Sequence, residues 1–382
     1  MILSEITQFF NENEHFHGTV KTNECLAPHT TMHVGGNAKF FLEPEDSESL
    51  VYAVRTLRSE NLPFFVLGGG SNVIISDDGL DVVVSTRKMS GVKFLTDSER
   101  KKNSQGEFLA SLGTGYARAG TEFTEKIQND EKQSSAISSL CTPKLCEKFI
   151  KVDAGSSWGS VISFCKKNNL GGFEGFTALS GTVGGALFMN ATCFGVSACD
   201  NLVSAEYFDT SDLQVHTYEK NEADWGYKKS PFQNLNSSQS KRAHGDCFSN
   251  SSLCSPTLCE EFYKIILSAI FRVHDGFDSQ KSETCVASRK EKGHFRAPSS
   301  GSAFKNDAAH GIIAGKVIDE CGLKGFSVGG AQIAPWHGNF IINPEQKATA
   351  HDIKRLSDEV KKIVREKTGI VLESEIIFVE NK

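Results

Sequence analysis

The run Phe64-Phe-Val-Leu-Gly-Gly-Gly-Ser-Asn-Val-Ile-Ile75 constrains the fold more than any other stretch of this chain. Short apolar segments bounded by glycine read as buried strands, so a strand, a glycine turn and a second strand follow one another here. Gly68, Gly69 and Gly70 permit positive φ and close backbone approach, and Ser71 and Asn72 add short polar side chains. Successive N–H groups in such a loop can cradle a pyrophosphate; the same triplet can also be a plain turn. No Gly-Lys-Ser/Thr follows, which excludes a Walker loop, and the glycines are too dispersed for a dinucleotide fingerprint. Val82-Val-Val84 supplies another strand, and Asp46 to Glu60 has helical spacing at Leu50, Val54 and Leu57, with Asp46 or Ser47 as N-cap.

At 382 residues the chain is long for one core, and about 150 residues per domain predicts two or three. Forty-one basic and 47 acidic residues leave a formal charge of −6, so no global field draws it to nucleic acid; an anionic ligand needs a local cluster of lysines. The start lacks the features of a signal peptide and no segment reaches the roughly 18–20 apolar residues of a membrane span, so a cytoplasmic chain is expected. Eleven cysteines scattered among charged residues predict free thiols.

Further along, Ile150 to Gly155 reads as a strand and Ser157 to Asn168 as a helix with Val161, Phe164 and Cys165 on one face. A third unit begins near Gly276: a short polar linker over 278–300, a Gly-Ser turn, a helix at 312–321, strands at 326–333 and 339–342, a helix at 350–367 and a last strand at 370–379. Two copies of one segment interrupt this order. Ser138 to Phe149 matches Ser251 to Phe262 at nine of twelve positions. Cys141, Cys146, Cys254 and Cys259 in these copies admit a shared zinc site, a redox pairing or no function; the C-x4-C spacing favours insertions without metal.

Three more blocks carry chemistry. Ser180-Gly-Thr-Val-Gly-Gly-Ala186 promises a second close backbone approach at Thr182, Gly184, Gly185 and Ala186. Gly301-Ser-Ala-Phe-Lys-Asn306 sets one hydroxyl beside a cation and an amide, as a proton donor requires, and Leu372-Glu-Ser-Glu375 closes the chain. In this order, with Ala314 to Gly325, Gly329-Gly-Ala-Gln332 and Asn339 to Asn343, the blocks resemble the UDP-N-acetylenolpyruvoylglucosamine reductase (MurB) family from about Thr30 to the C-terminus.

That resemblance implies an α+β chain: an FAD-binding fold of the PCMH/vanillyl-alcohol-oxidase type in two subdomains, 1–91 and 92–276, plus a smaller α+β substrate-binding domain, 277–382. The insertions fall near 96–149 and 234–262. It implies FAD as cofactor, NADPH as reductant, UDP-N-acetylglucosamine enolpyruvate as substrate, no metal and a monomer. Gly68 through Asn72 and Thr182 through Ala186 would hold FAD; Ser302 would donate the proton, with Glu375 and Lys228 catalytic beside it. Tyr227, Lys305, Asn306, Lys324 and His337 would line the sugar-nucleotide site. Thr30 to Ala38 resembles a first flavin-contacting segment, in which His33 reads as a packed or exposed histidine rather than a covalent tether.

The chain departs from the family pattern at four places. Lys228, in Tyr227-Lys-Lys-Ser-Pro-Phe232, stands where the family has arginine; lysine keeps the charge and loses the two-pronged grip on a carboxylate. Leu179-Ser180 replaces Ile-Pro, Asp307 replaces proline and places a carboxylate near a polyanion, and Pro335-Trp336 narrows the site. With no lid segment between Gly276 and Gly301, an open site is expected. A flavin oxidoreductase with another substrate, or a binding protein without turnover, are the competing readings.

Overall fold

The computed structural model describes residues 6–95, 148–233 and 264–381. The Cys141, Cys146, Cys254 and Cys259 repeats lie outside these residues.

The first unit holds helices α1 (Ile6–Asn11) and α2 (Ser47–Ser59) and strands β1 (Gly18–Cys25), β2 (Asn37–Pro44), β3 (Phe65–Leu67), β4 (Val73–Ile75) and β5 (Leu80–Ser85). Asp46 caps α2 by accepting the Ser49 N–H, and the helix buries Leu50, Val54 and Leu57 at the expected spacing. The sheet runs β1-β2-β5-β3, with β1 antiparallel to β2 and the other pairs parallel. The glycine turn therefore joins strands of different sheets: β3 lies beside β5, while β4 leaves to pair with the C-terminal strand.

The second unit contributes β6 (Val92–Phe94), β7 (Lys148–Asp153), α3 (Trp158–Lys167), β8 (Leu170–Gly171), α4 (Val183–Phe188), β9 (Thr192–Cys193), β10 (Val196–Ser197), β11 (Leu202–Asp209), β12 (Gln214–Glu219) and β13 (Lys264–Asp275). An antiparallel sheet of order β12-β11-β13-β7-β6 covers an aromatic core in which Trp158 stacks on Phe176 at 4.3 Å. The glycine-rich block at 181–185 is the start of a helix, with Thr182 accepting the Gly185 N–H as N-cap of α4.

The third unit holds α5 (Ser279–Glu291), β14 (Ser299–Ser302), α6 (Ala314–Glu320), β15 (Ser327–Val328), β16 (Ala331–Ile333), β17 (Phe340–Ile342), α7 (Ala350–Thr368) and β18 (Ile377–Val379). The sheet order is β14-β17-β16-β15. A capping box between Thr349 and Asp352 starts α7, Gly369 in the left-handed region ends it, and Ile353, Leu356, Val360 and Val364 form its buried stripe.

Two expectations are corrected. The stretch 278–300 is no linker, because α5 occupies most of it; its buried residues are just Cys285 and Arg289, four apart, so it carries almost no apolar periodicity. The last strand is confined to Ile377–Val379. Residues before it make single contacts instead, with Lys305 N donating to Glu373 O and Glu375 N to Ala303 O, both at 2.8 Å. Among the described residues, no helix is long and apolar enough to cross a membrane.

Candidate active site

The two glycine blocks form one structure. A Cβ on Gly69 would stand 2.4 Å from the Gly181 Cα, and one on Gly68 would meet Thr182 Oγ1 at 2.8 Å, so the loops touch backbone to backbone. Gly70 has φ +62°, and a Cβ there would lie 2.1 Å from the His29 carbonyl oxygen. Thr31 N donates to Gly70 O at 3.0 Å, which ties the Thr30–Ala38 segment to the loop. His33 is exposed and meets Gln346 Oε1. None of the N–H groups of Gly68 to Ser71 donates to a protein acceptor among the described residues. Backbone donors are seldom left unpaired, and a run of them at a turn is an anion cradle.

These loops line one side of a cavity of about 770 Å³, which spans Gly68 to Asn72, Gly181, Thr182 and Gly184 to Ala186. The volume is within the range of small-molecule and cofactor sites. FAD fits this side of the cavity: unpaired amides for its pyrophosphate beside a wall that is mainly apolar.

Ser302, Lys228 and Glu375 line the same cavity. Pairing of β18 with β4 places Glu375 there: Ile377 N donates to Asn72 O, and Asn72 Nδ2 donates to Glu375 O, each at 3.0 Å. The first glycine block thus holds the backbone of the C-terminal carboxylate directly. Ser302 ends β14, fixed by register with Phe340. Lys228 adopts φ 55° in a turn closed by Gly226 and Lys229, and the turn is anchored by Asn190 Nδ2 on Gly226 O and Ser230 Oγ on Phe188 O. Its Nζ lies 2.6 Å from Glu375 Oε1, with the two side chains 13% and 11% exposed.

The other expected ligands do not line the cavity. Tyr227 is exposed, and its hydroxyl accepts the Asn306 N–H at 3.4 Å, while Asn306 Oδ1 accepts from Ala314 N. Lys305 pairs with Glu373 and Lys324 with Asp319. His337 is stacked on Phe340 at 3.9 Å, accepts the Asn339 N–H, and has its pKa lowered by burial, then by Lys292 and Lys324. Asp307 is likewise outside the cavity: it caps a short turn and pairs with His310, whose hydrogen bond holds its carboxyl below the ordinary range. Trp336 faces Gly293 and Arg296 and does not narrow the cavity.

Lys264, Arg289, Lys292, His294 and Phe295 do line it. Residues 276–301, expected as a bare polar linker, instead contribute to the lining of the cavity through α5 and the residues after it. Lys264 sits at the start of β13, and burial drives the His294 pKa down to about 4, helped by Arg289, His337 and Lys292. The cations come from two segments, Lys264 at the start of β13 and Arg289 and Lys292 on and just after α5, which is why no local motif announced them.

An FAD-binding α+β core of the PCMH/vanillyl-alcohol-oxidase type, joined to a third unit that shares in lining the cavity, defines a flavin-dependent oxidoreductase. Residues 38–123 match the family described as FAD binding domain, and residues 293–379 the UDP-N-acetylenolpyruvoylglucosamine reductase C-terminal domain. The UDP-N-acetylenolpyruvoylglucosamine reductase of Treponema denticola is 34% identical over 369 residues, covering 94% of each chain. That of Treponema pallidum is 30% identical over 94% of this chain and 93% of its own. The crystal structure of the Thermus caldophilus enzyme (MurB) superposes with a TM-score of 0.59 at 24% identity, covering 95% of this chain and 99% of that one. The chain belongs to the MurB family.

Proposed function

We propose that this chain is a UDP-N-acetylmuramate dehydrogenase, reducing UDP-N-acetylglucosamine enolpyruvate to UDP-N-acetylmuramate with NADPH for peptidoglycan synthesis, in the cytoplasm and as a monomer. The observation that carries the site assignment is the convergence of Ser302, Lys228 and Glu375 on the cavity that the paired glycine loops also line.

Gly68 to Asn72 with Thr182, Gly184, Gly185 and Ala186 would hold FAD, which would supply the means of passing a hydride from NADPH to the methylene carbon of the enolpyruvyl ether. The chain's own residues manage the charge and the proton. Negative charge develops on the carbon next to the substrate carboxylate, and fixed donors and cations facing it lower the barrier. Lys228 supplies the positive charge that faces it, steered by Glu375. Ser302 Oγ then gives its proton to the same carbon. Serine is a weak acid, so the alkoxide it leaves needs a nearby cation and reprotonation from solvent.

Tyr227, Lys305 and Asn306 form a connected rim beside these residues and take the sugar nucleotide in this reading. Lys324 and His337 belong to the same sugar-nucleotide site in this reading. Lys264, Arg289 and Lys292 add the positive field that a diphosphate needs on a protein of net charge −6. The three units, 1–91, 92–276 and 277–382, divide the work between cofactor and substrate.

The deciding measurement is NADPH oxidation by FAD-loaded protein with and without UDP-N-acetylglucosamine enolpyruvate. Oxidation that depends on this substrate supports the reading. A flavin that NADPH reduces and this substrate fails to reoxidise refutes it.

A further inference from the structure

Cys193, on β9, is half-buried and lines the cavity. Arg289 Nη2 donates to its Sγ at 2.7 Å. Arg289 is 7% exposed, lines the same cavity, has no carboxylate partner among the described residues, and leaves its Nε without any hydrogen-bond acceptor. Its guanidinium also lies over the face of Phe194, 5.8 Å from the ring centroid, and Lys292 Nζ stands at the same distance from that ring.

A buried guanidinium without a counter-charge is costly. Here the side chain beside it is a thiol, open to the cavity. Thiols react where cations surround them and reagents reach them, whereas thiols in apolar surroundings are inert. The other described cysteines contrast with this one. Cys165, Cys199, Cys285 and Cys321 are buried; burial pushes Cys165 up to about 12 and raises Cys199 and Cys285. Cys25 is exposed on β1, away from the cavity.

We propose that Cys193 is a modification site, a reactive thiol in the cavity wall that takes hydroperoxides and soft alkylating electrophiles. With a hydroperoxide, an S–O bond forms as the O–O bond breaks. The sulfur gives up two electrons and becomes a sulfenic acid, and the peroxide leaves as water or alcohol carrying the thiol's proton. With iodoacetamide, a C–S bond forms, iodide leaves, and the proton goes to solvent. Either product adds atoms to the cavity wall and disturbs the Arg289 contact, so turnover falls.

The test uses the full, FAD-loaded protein, exposed to limiting iodoacetamide or to hydrogen peroxide with a sulfenic-acid trap. Peptide mass spectrometry maps the label and NADPH oxidation is followed in parallel. Cys193 is expected to label about tenfold faster than Cys25, with activity falling as Cys193 is consumed. Cys193→Ala, and Cys193→Ser as a second variant, should each keep their own untreated rate after the same exposure. Arg289→Gln should slow labelling of Cys193 about tenfold while Arg289→Lys restores most of it. Labelling of Cys25 ahead of Cys193, or equal inactivation of the wild type and both Cys193 variants, overturns the proposal.

Discussion

Ser302→Ala tests the proton assignment with the least disturbance of the fold. The change removes one oxygen from a half-buried residue whose backbone stays fixed by pairing with Phe340 and by Ala303 N on Asn339 O at 2.8 Å. Its cost in stability should be within about 0.5 kcal/mol. A positioned acid contributes about 10²–10⁴-fold to a proton transfer, equivalent to roughly 2.7–5.5 kcal/mol of barrier. Stopped-flow absorbance separates the two halves of the reaction. Bleaching of the flavin by NADPH should change by less than about twofold, because no proton reaches the substrate carbon in that half, while reoxidation by the enolpyruvyl substrate slows by the full factor. Ser302→Cys should recover part of the loss, since a thiol is a stronger acid. Equal slowing of both halves would show that Ser302 shapes the cavity and does not deliver the proton.

The Lys228–Glu375 pair predicts a split between two substitutions. Lys228→Met leaves a carboxylate only 11% exposed without its cation, which should cost about 3 kcal/mol of unfolding free energy in a urea titration and slow the oxidative half-reaction, whereas Lys228→Arg should preserve or raise turnover. Loss of substrate affinity in a well-folded Lys228→Arg would remove the lysine from its assigned place. At Gly69, any side chain collides with Gly181 Cα, 2.4 Å away, so Gly69→Val should purify folded but colourless; a normal flavin-to-protein absorbance ratio would sink the cradle. His294 titrates near 4 when folded against about 6.5 unfolded, so between these values the unfolded chain binds more protons and stability falls as pH falls through the window. The difference in Tm between wild type and His294→Phe should therefore change between pH 6.5 and 4 and stay flat above pH 7; no change in that window refutes the buried neutral histidine.

What could be read in advance follows from how each residue reaches the site. In the proposed reading Gly68 to Asn72 and Thr182 to Ala186 act through their own backbone, and a glycine on which an added Cβ would stand 2.4 Å from another backbone leaves its mark in the sequence at that position. Glycine does not say what it meets, however, and the contact between Gly69 and Gly181 joins segments more than a hundred residues apart. Helices α2, α3 and α7 were legible because each buries an apolar stripe at helical spacing and is capped by Asp46, Ser157 or Thr349. Helix α5 was not, because its inward face consists of Cys285 and Arg289 and its remaining surface is polar. That one omission hid the wall carrying Arg289, Lys292 and His294, and with it the cationic side of the cavity. Conversely, Lys324 and His337 come from a motif that the sequence displays clearly, yet their side chains are engaged by Asp319 and by Phe340 and Asn339. A motif fixes the path of the backbone more firmly than the errand of each side chain. Lys228 shows the reverse, since a single departure from the expected arginine is held by an anchored turn and met by a carboxylate delivered from the other end of the chain. The charge, and the geometry that aims it, are kept by Asn190, Ser230 and Glu375 rather than by the identity of the cation alone.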